Sequence, residues 1–156
     1  MPGLDPGIHA GMRMKDCLFC AIARGEIPSH RVCETDDLVA FLDIHPVRPG
    51  HALIIPRDHH AYFDDLPPAL AGEIVTLGQR LSKHMKARYG APRVGFAFTG
   101  IDVPHVHAHV IPMMETTDLT SRRFIVEEKL TFRLPPRADD GDLAVTAAEM
   151  RTALAR

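Results

Sequence analysis

Residues 104–112 read Pro-His-Val-His-Ala-His-Val-Ile-Pro, three histidines alternating with small apolar residues between two prolines. Alternation at period two marks a β-strand with one face in a core, because successive side chains of a strand point to opposite sides. His105, His107 and His109 therefore share one face, and Val106, Ala108 and Val110 the other. The apolar face needs a covering layer; the imidazoles meet something else. Three protonated rings in one row would repel, so at neutral pH the row is at least partly neutral and available as ligand, base or nucleophile. The residues alone leave three readings open: a structural row, a His-x-His metal site, and a catalytic row.

The rest of the chain reads as one α+β domain built around that strand: a largely antiparallel, five-stranded sheet with one long helix and two short ones. Its 156 residues suffice for a single core. Residues 1–14, rich in glycine and proline and without periodicity, are expected to form a flexible N-terminal extension. Residues 15–138 are the domain proper, and 139–156 a C-terminal helix and tail. Asp16 can cap a short helix over 17–24 that Gly25 ends, with Leu18, Phe19 or Cys20, and Ile22 turned to a core or pocket. Residues 30–34 and 38–43 flank the turn Thr35-Asp36-Asp37 as a hairpin, and 51–56 form a buried third strand. Pro67-Pro68 opens the long helix, where Leu70, Ile74, Leu77, Leu81 and Met85 make one stripe up to about Tyr89. Residues 94–99 are the fourth strand and the histidine row the fifth. Residues 113–138 read as a long loop, and 143–154 as a helix with Leu143, Ala147, Met150 and Leu154 on one face.

A formal net charge of -2 draws neither a nucleic-acid backbone nor an anionic lipid surface, so any anion must be held by local groups. Neither a nucleic acid nor a membrane is expected as a partner. No stretch approaches the ~18 apolar residues of a membrane span, and the start does not read as a signal peptide. A cytoplasmic address is the expectation. Three unevenly spaced cysteines, Cys17, Cys20 and Cys33, make no disulfide framework and agree with a reducing compartment. Cys33 reads as core. Cys17-x-x-Cys20 is different, because two thiolates at that spacing can grip one metal ion.

The row His105-x-His107-x-His109-Val110-Ile111 follows four further motifs. They are Cys17-Leu-Phe-Cys20-x-Ile22, Ala40-Phe41-Leu-Asp43-Ile44, Pro49-Gly50-His51 and Ile54-Ile55-Pro56-Arg57-x-His59. In order and spacing this resembles the histidine triad (HIT) family of nucleotide-binding enzymes, over about 16–112. The resemblance implies a homodimer whose two five-stranded sheets join, and hydrolysis or transfer at the α-phosphate of purine nucleoside phosphoramidates or adenylylated compounds. His107 matches the family's nucleophile, which forms a covalent nucleotidyl-imidazole intermediate. His109 would donate to charge developing on non-bridging oxygens, and His105 would orient the nucleophile or help protonate the leaving group. Backbone amides near 100–103, Val103 among them, would complete the anion site. Phe19, Ile22, Phe41 and Ile44 match the base pocket and Asp43 the ribose carboxylate, which can accept from both ribose hydroxyls.

In the zinc-carrying branch of the family, Cys17 and Cys20 would be joined by His59 and His105 in a closed, structural Cys2His2 site, with His60 as an alternative to His59. No organic cofactor is expected. Two departures stand out. Ile101 replaces the common Gln after glycine, and Phe96-Ala97-Phe98 lacks the upstream Asn, so backbone must supply more of the phosphate contacts. Met113 and Met114 stand where a basic residue is frequent. Three other readings are carried alongside: a dinucleoside polyphosphate hydrolase, a zinc-stabilised nucleotide-binding module with little turnover, and a hydrolase with zinc held by the row itself.

Overall fold

The computed structural model describes residues 17–100, 102–119 and 134–155. Five strands, β1 (Arg31–Glu34), β2 (Leu38–Leu42), β3 (Ala52–Pro56), β4 (Arg93–Phe98) and β5 (Ala108–Met113), form one sheet in the order β1-β2-β3-β5-β4. Every pairing is antiparallel. The inner strands β2 and β3 are buried along their whole length. Their unbroken apolar runs have that reason: both faces of the sheet are covered, so alternation with polar residues would place polar groups in a core.

The two faces carry different layers. Leu42, Ala52 and Val110 pair across the sheet, as do Ala40, Ile54 and Ala108. All six belong to the larger core, beneath α2 (Pro68–Tyr89) and α3 (Asp140–Leu154). On the other face Phe41 pairs with Leu53, and Leu53 with His109. Phe41 and Leu53 join Val39 and Ile55 in a second core under α1 (Leu18–Arg24). One face thus stabilises the domain and the other is free to hold a site.

The helices follow local rules. Pro68 starts α2, where a missing N–H costs nothing, and Gly90 ends it at φ 64°. Ile74, Leu77, Leu81 and Met85 are buried, and Leu70 packs at the margin of the same core. Helix α3 begins at Asp140, three residues before the expected start. Asp139 caps it, its carboxylate accepting from the N–H groups of Gly141 at 2.8 Å and Asp142 at 3.2 Å. With 15 residues it is longer than a short closing helix, and its buried face is the expected Leu143, Ala147, Met150 and Leu154. Helix α1 has Cys17 at its N-cap without a side-chain cap bond; Asp16, the expected cap, lies outside the described residues. So do 1–14, Ile101 and 120–133 of the expected long loop. Among the described residues, no helix is long and apolar enough to cross a membrane.

One expectation needs correction. The histidine row is not all strand: β5 starts at Ala108, and His105 and His107 precede it in irregular backbone. That stretch is held by Val106 N–H donating to His60 O at 2.7 Å and His105 N–H to Val103 O at 2.8 Å. The alternation survives, with Val106, Ala108 and Val110 in the larger core.

Ile54 sits in the central strand, fully buried, between two alanines that cannot fill a hole beside it. Ile54→Ala should lower unfolding free energy in urea by about 3 kcal/mol. A loss below ~0.5 kcal/mol would contradict this packing.

Candidate active site

The pairing of Phe41, Leu53 and His109 lays an apolar floor that ends in an imidazole. Above it lies a cavity of about 900 Å³. Phe19 and Ile22 from α1, Phe41, Asp43 and Ile44 from the end of β2, and Val103, His107 and His109 from the row's side all line it. These are the expected nucleotide and catalytic residues apart from His105. His105 is fully buried behind them.

His105 has both ring nitrogens engaged. Its Nε2–H donates to Pro56 O at 2.9 Å, so Nδ1 keeps its lone pair and lies 3.5 Å from Cys17 Sγ and 3.4 Å from Cys20 Sγ. His59 Nδ1 lies 3.3 Å from Cys20 Sγ. The four ligand atoms all fall within 4.8 Å of one another. Around a tetrahedral zinc, bonds of ~2.3 Å to sulfur and ~2.05 Å to nitrogen place S and N roughly 3.5 Å apart, which is the spacing found. Burial, followed by the neighbouring Cys17, pushes the Cys20 thiol up to about 11. A thiol raised in this way ionises readily only beside a cation. The residues present fit a closed Cys2His2 metal site, and the choice between neighbours falls on His59. Cys33, by contrast, is half-buried at the margin of the larger core.

His107 is oriented by its own chain. Its Nδ1–H donates to the backbone carbonyl of His105 at 2.8 Å, which fixes the tautomer and leaves Nε2 with the lone pair. Phe19 lies edge-on to the ring, centroids 5.0 Å apart. Gly100 adopts φ 109°, and a Cβ there would come 2.6 Å from His107 Cε1 and Nε2. Only glycine lets the backbone approach His107 Nε2 this closely.

His109 is oriented by a residue that sequence reasoning missed. His51, buried just before β3, accepts at Nδ1 from the Val47 N–H at 3.2 Å. Its proton therefore sits on Nε2, which donates to His109 Nδ1 at 2.9 Å. His109 in turn carries its proton on Nε2. The available signal was position: His51 stands in the Pro-Gly-His motif opening a buried strand, but a single histidine there reads as easily as a core residue. Asp43 lies close by, Oδ2 3.7 Å from His51 Nε2, while its Oδ1 accepts from the His45 N–H at 2.8 Å. That bond also closes the turn after β2.

Burial drives the electrostatics. It takes His109 down to about 4, aided by the His51 and His107 rings. Burial also lowers His51, against a smaller opposing pull from Asp43. Burial likewise takes His105 down to about 4, so the first and last rings of the row are neutral at physiological pH. The three row imidazoles do not converge on one point: His105 faces the cysteines and His109 faces His51 and Asp43. A metal held by the row alone has no geometric support here.

Residues 24–116, more than half of the chain, match the HIT domain family. The adenosine 5′-monophosphoramidase of Saccharomyces cerevisiae is 41% identical over 97 residues. That match covers 62% of this chain and 61% of the yeast protein, so the chain spans under two thirds of that relative's length. The crystal structure of a zinc-bound histidine triad family protein from Mycobacterium smegmatis superposes with TM-score 0.69 at 30% identity, covering 92% of this chain and 96% of that one. A HIT-like protein of Bartonella henselae gives TM-score 0.73 at 27% identity, over 92% and 99%.

The depressed pKa of His109 has a pH consequence. In the unfolded chain the ring takes a proton near pH 6.5, in the folded one only near 4. Acid therefore protonates the unfolded state first: its stabilising contribution is complete above about pH 6.5 and is lost as pH falls through the window to about 4. NMR titration should show His109 neutral at pH 6, and urea midpoints should fall between pH 6.5 and 4. A His109 midpoint near 6.5 would contradict the burial.

Proposed function

The chain belongs to the HIT domain family, and from that premise we propose that it hydrolyses or transfers nucleotidyl groups at the α-phosphate of purine nucleoside phosphoramidates or adenylylated compounds. The observation that carries this reading is the fixed tautomer of His107, Nδ1–H bound at 2.8 Å to the His105 carbonyl with Nε2 at the cavity beside Gly100. A neutral imidazole attacks an anionic phosphorus without adding charge, forming a P–N bond to Nε2 as the bond to the leaving amine breaks. The amine takes its proton from water, and water later splits the nucleotidyl-imidazole. His109 Nε2–H donates to a non-bridging oxygen as charge builds there. His105 positions rather than protonates, since neither of its nitrogens is free. Phe19, Ile22, Phe41 and Ile44 enclose the base, Val103 backs the phosphate end, and Asp43 Oδ2 accepts from the ribose hydroxyls.

Zinc at Cys17, Cys20, His59 and His105 fits the donor set; when bound it neutralises the thiolates and ties α1 to the row. The expected homodimer draws support from β4, one of the two edge strands, where Phe96 is partly exposed. A matching strand from a second copy would continue the sheet there.

AMP release from adenosine 5′-phosphoramidate tests the reading. His107→Asn keeps the size and polarity but removes the nucleophile, and should cut kcat by about 10³-fold or more. Equal release by both proteins would exclude the assignment.

For the metal, Cys20→Ala should abolish zinc retention through gel filtration, measured by atomic emission, and lower Tm. Full zinc occupancy in the variant would remove Cys20 from the ligand set.

A further inference from the structure

The cavity runs past its apolar slot to a polar end that the chemistry above leaves unused. Two segments build it: residues 27–30, ahead of β1, and residues 134–140, which lead into α3. The second lies outside the stretch matching the family. It is tied to the sheet by the Ala138 N–H donating to Ile44 O at 2.8 Å and His45 Nδ1–H to Pro135 O at 3.0 Å.

Two groups there await a partner of defined chemistry. The Ser29 hydroxyl is closed off from solvent and has no hydrogen-bond partner among the described residues. A buried hydroxyl left unmatched is unfavourable, and a ligand group that pairs with it gains accordingly. Asp140 accepts from His30 Nε2–H at 3.0 Å and from Arg137 at 3.0 and 3.2 Å. A carboxylate has about four acceptor sites, so one remains. The donors beside it hold Asp140 well below the usual carboxylate range, where it can only accept.

Position decides what reaches them. Ser29 and His30 adjoin the start of β1, three strands from β5, roughly 14 Å at the usual strand spacing. A nucleotide with its phosphorus at His107 and its ribose at Asp43 lays its base along Phe41 toward this end. We propose that Ser29 and Asp140 read the edge of an adenine ring, Asp140 accepting from the exocyclic amino group and the Ser29 hydroxyl turning about its Cα–Cβ bond from its enclosed position to donate to the adjacent ring nitrogen. The C-terminal segment thereby sets base preference. Hypoxanthine presents the reverse pair and puts a carbonyl oxygen against the carboxylate. This inference rests on the nucleotide reading above.

The test compares kcat/KM for adenosine and inosine 5′-phosphoramidates, and affinities for AMP and IMP by calorimetry, in the full chain and in Ser29→Ala and Asp140→Asn. Ser29→Ala breaks no side-chain hydrogen bond among the described residues, so its fold is not at stake. The wild type should favour adenosine, and each variant should shrink the adenosine-to-inosine ratio by about three- to tenfold, mainly through KM for adenosine. A purely structural defect would lower both substrates alike and leave the ratio unchanged, which would overturn the proposal. So would a wild type without preference. If AMP and IMP bind without turnover, the affinity ratio decides in the same way. If neither nucleotide binds, the functional reading itself fails, a result distinct from binding without discrimination.

Discussion

A single hydrogen bond, His107 Nδ1–H to the His105 carbonyl at 2.8 Å, connects everything the site face does. It selects the tautomer of the ring at the cavity, and it hangs that ring on a backbone whose own side chain is clasped between Pro56 O and two cysteines. The His107 ring is thus positioned by main chain, and the main chain by a buried side-chain cluster. No flexible side chain intervenes. A ring placed this way loses little entropy on meeting a substrate, because it was ordered during folding.

The division of the sheet makes such a site affordable. The face under α2 and α3 holds the larger core, with Ile54, Ile74, Leu81, Met85 and Met150 fully buried. The opposite face can then carry neutral histidines, free thiols and an open cavity. His51 extends the same logic: a second imidazole, fixed by Val47 N–H, fixes His109. His107 has its tautomer fixed by a backbone carbonyl that accepts from it, and His109 by His51, itself fixed by a backbone N–H.

Much of this was legible from residue order because burial follows period. Alternation in 105–110 identified both faces even though His105 and His107 lie outside any strand, since the packing and not the ladder imposes it. The stripe on α2 and the buried face of α3 were equally plain. His51 was not, because a lone histidine before a strand carries no periodic signal. Nor was segment 134–140, whose Leu134, Arg137 and Asp140 reach the cavity only through tertiary contacts with Ile44 and His45. The start of α3 lay three residues before the expected Leu143, as acidic residues at 139, 140 and 142 compete for one capping role that geometry gives to Asp139.

Helix α1 has seven residues, well short of the ~12–15 that hold a helix in water unaided. Yet it supplies Cys20 to one cluster and Phe19 and Ile22 to the cavity wall. Two ligands on opposite flanks of so weak an element share its ordering cost. On the proposed function, whichever arrived first would leave less disorder for the other to remove, so a metal at the cysteines and a nucleotide in the cavity would be cooperative partners, with the same gain in affinity in both directions.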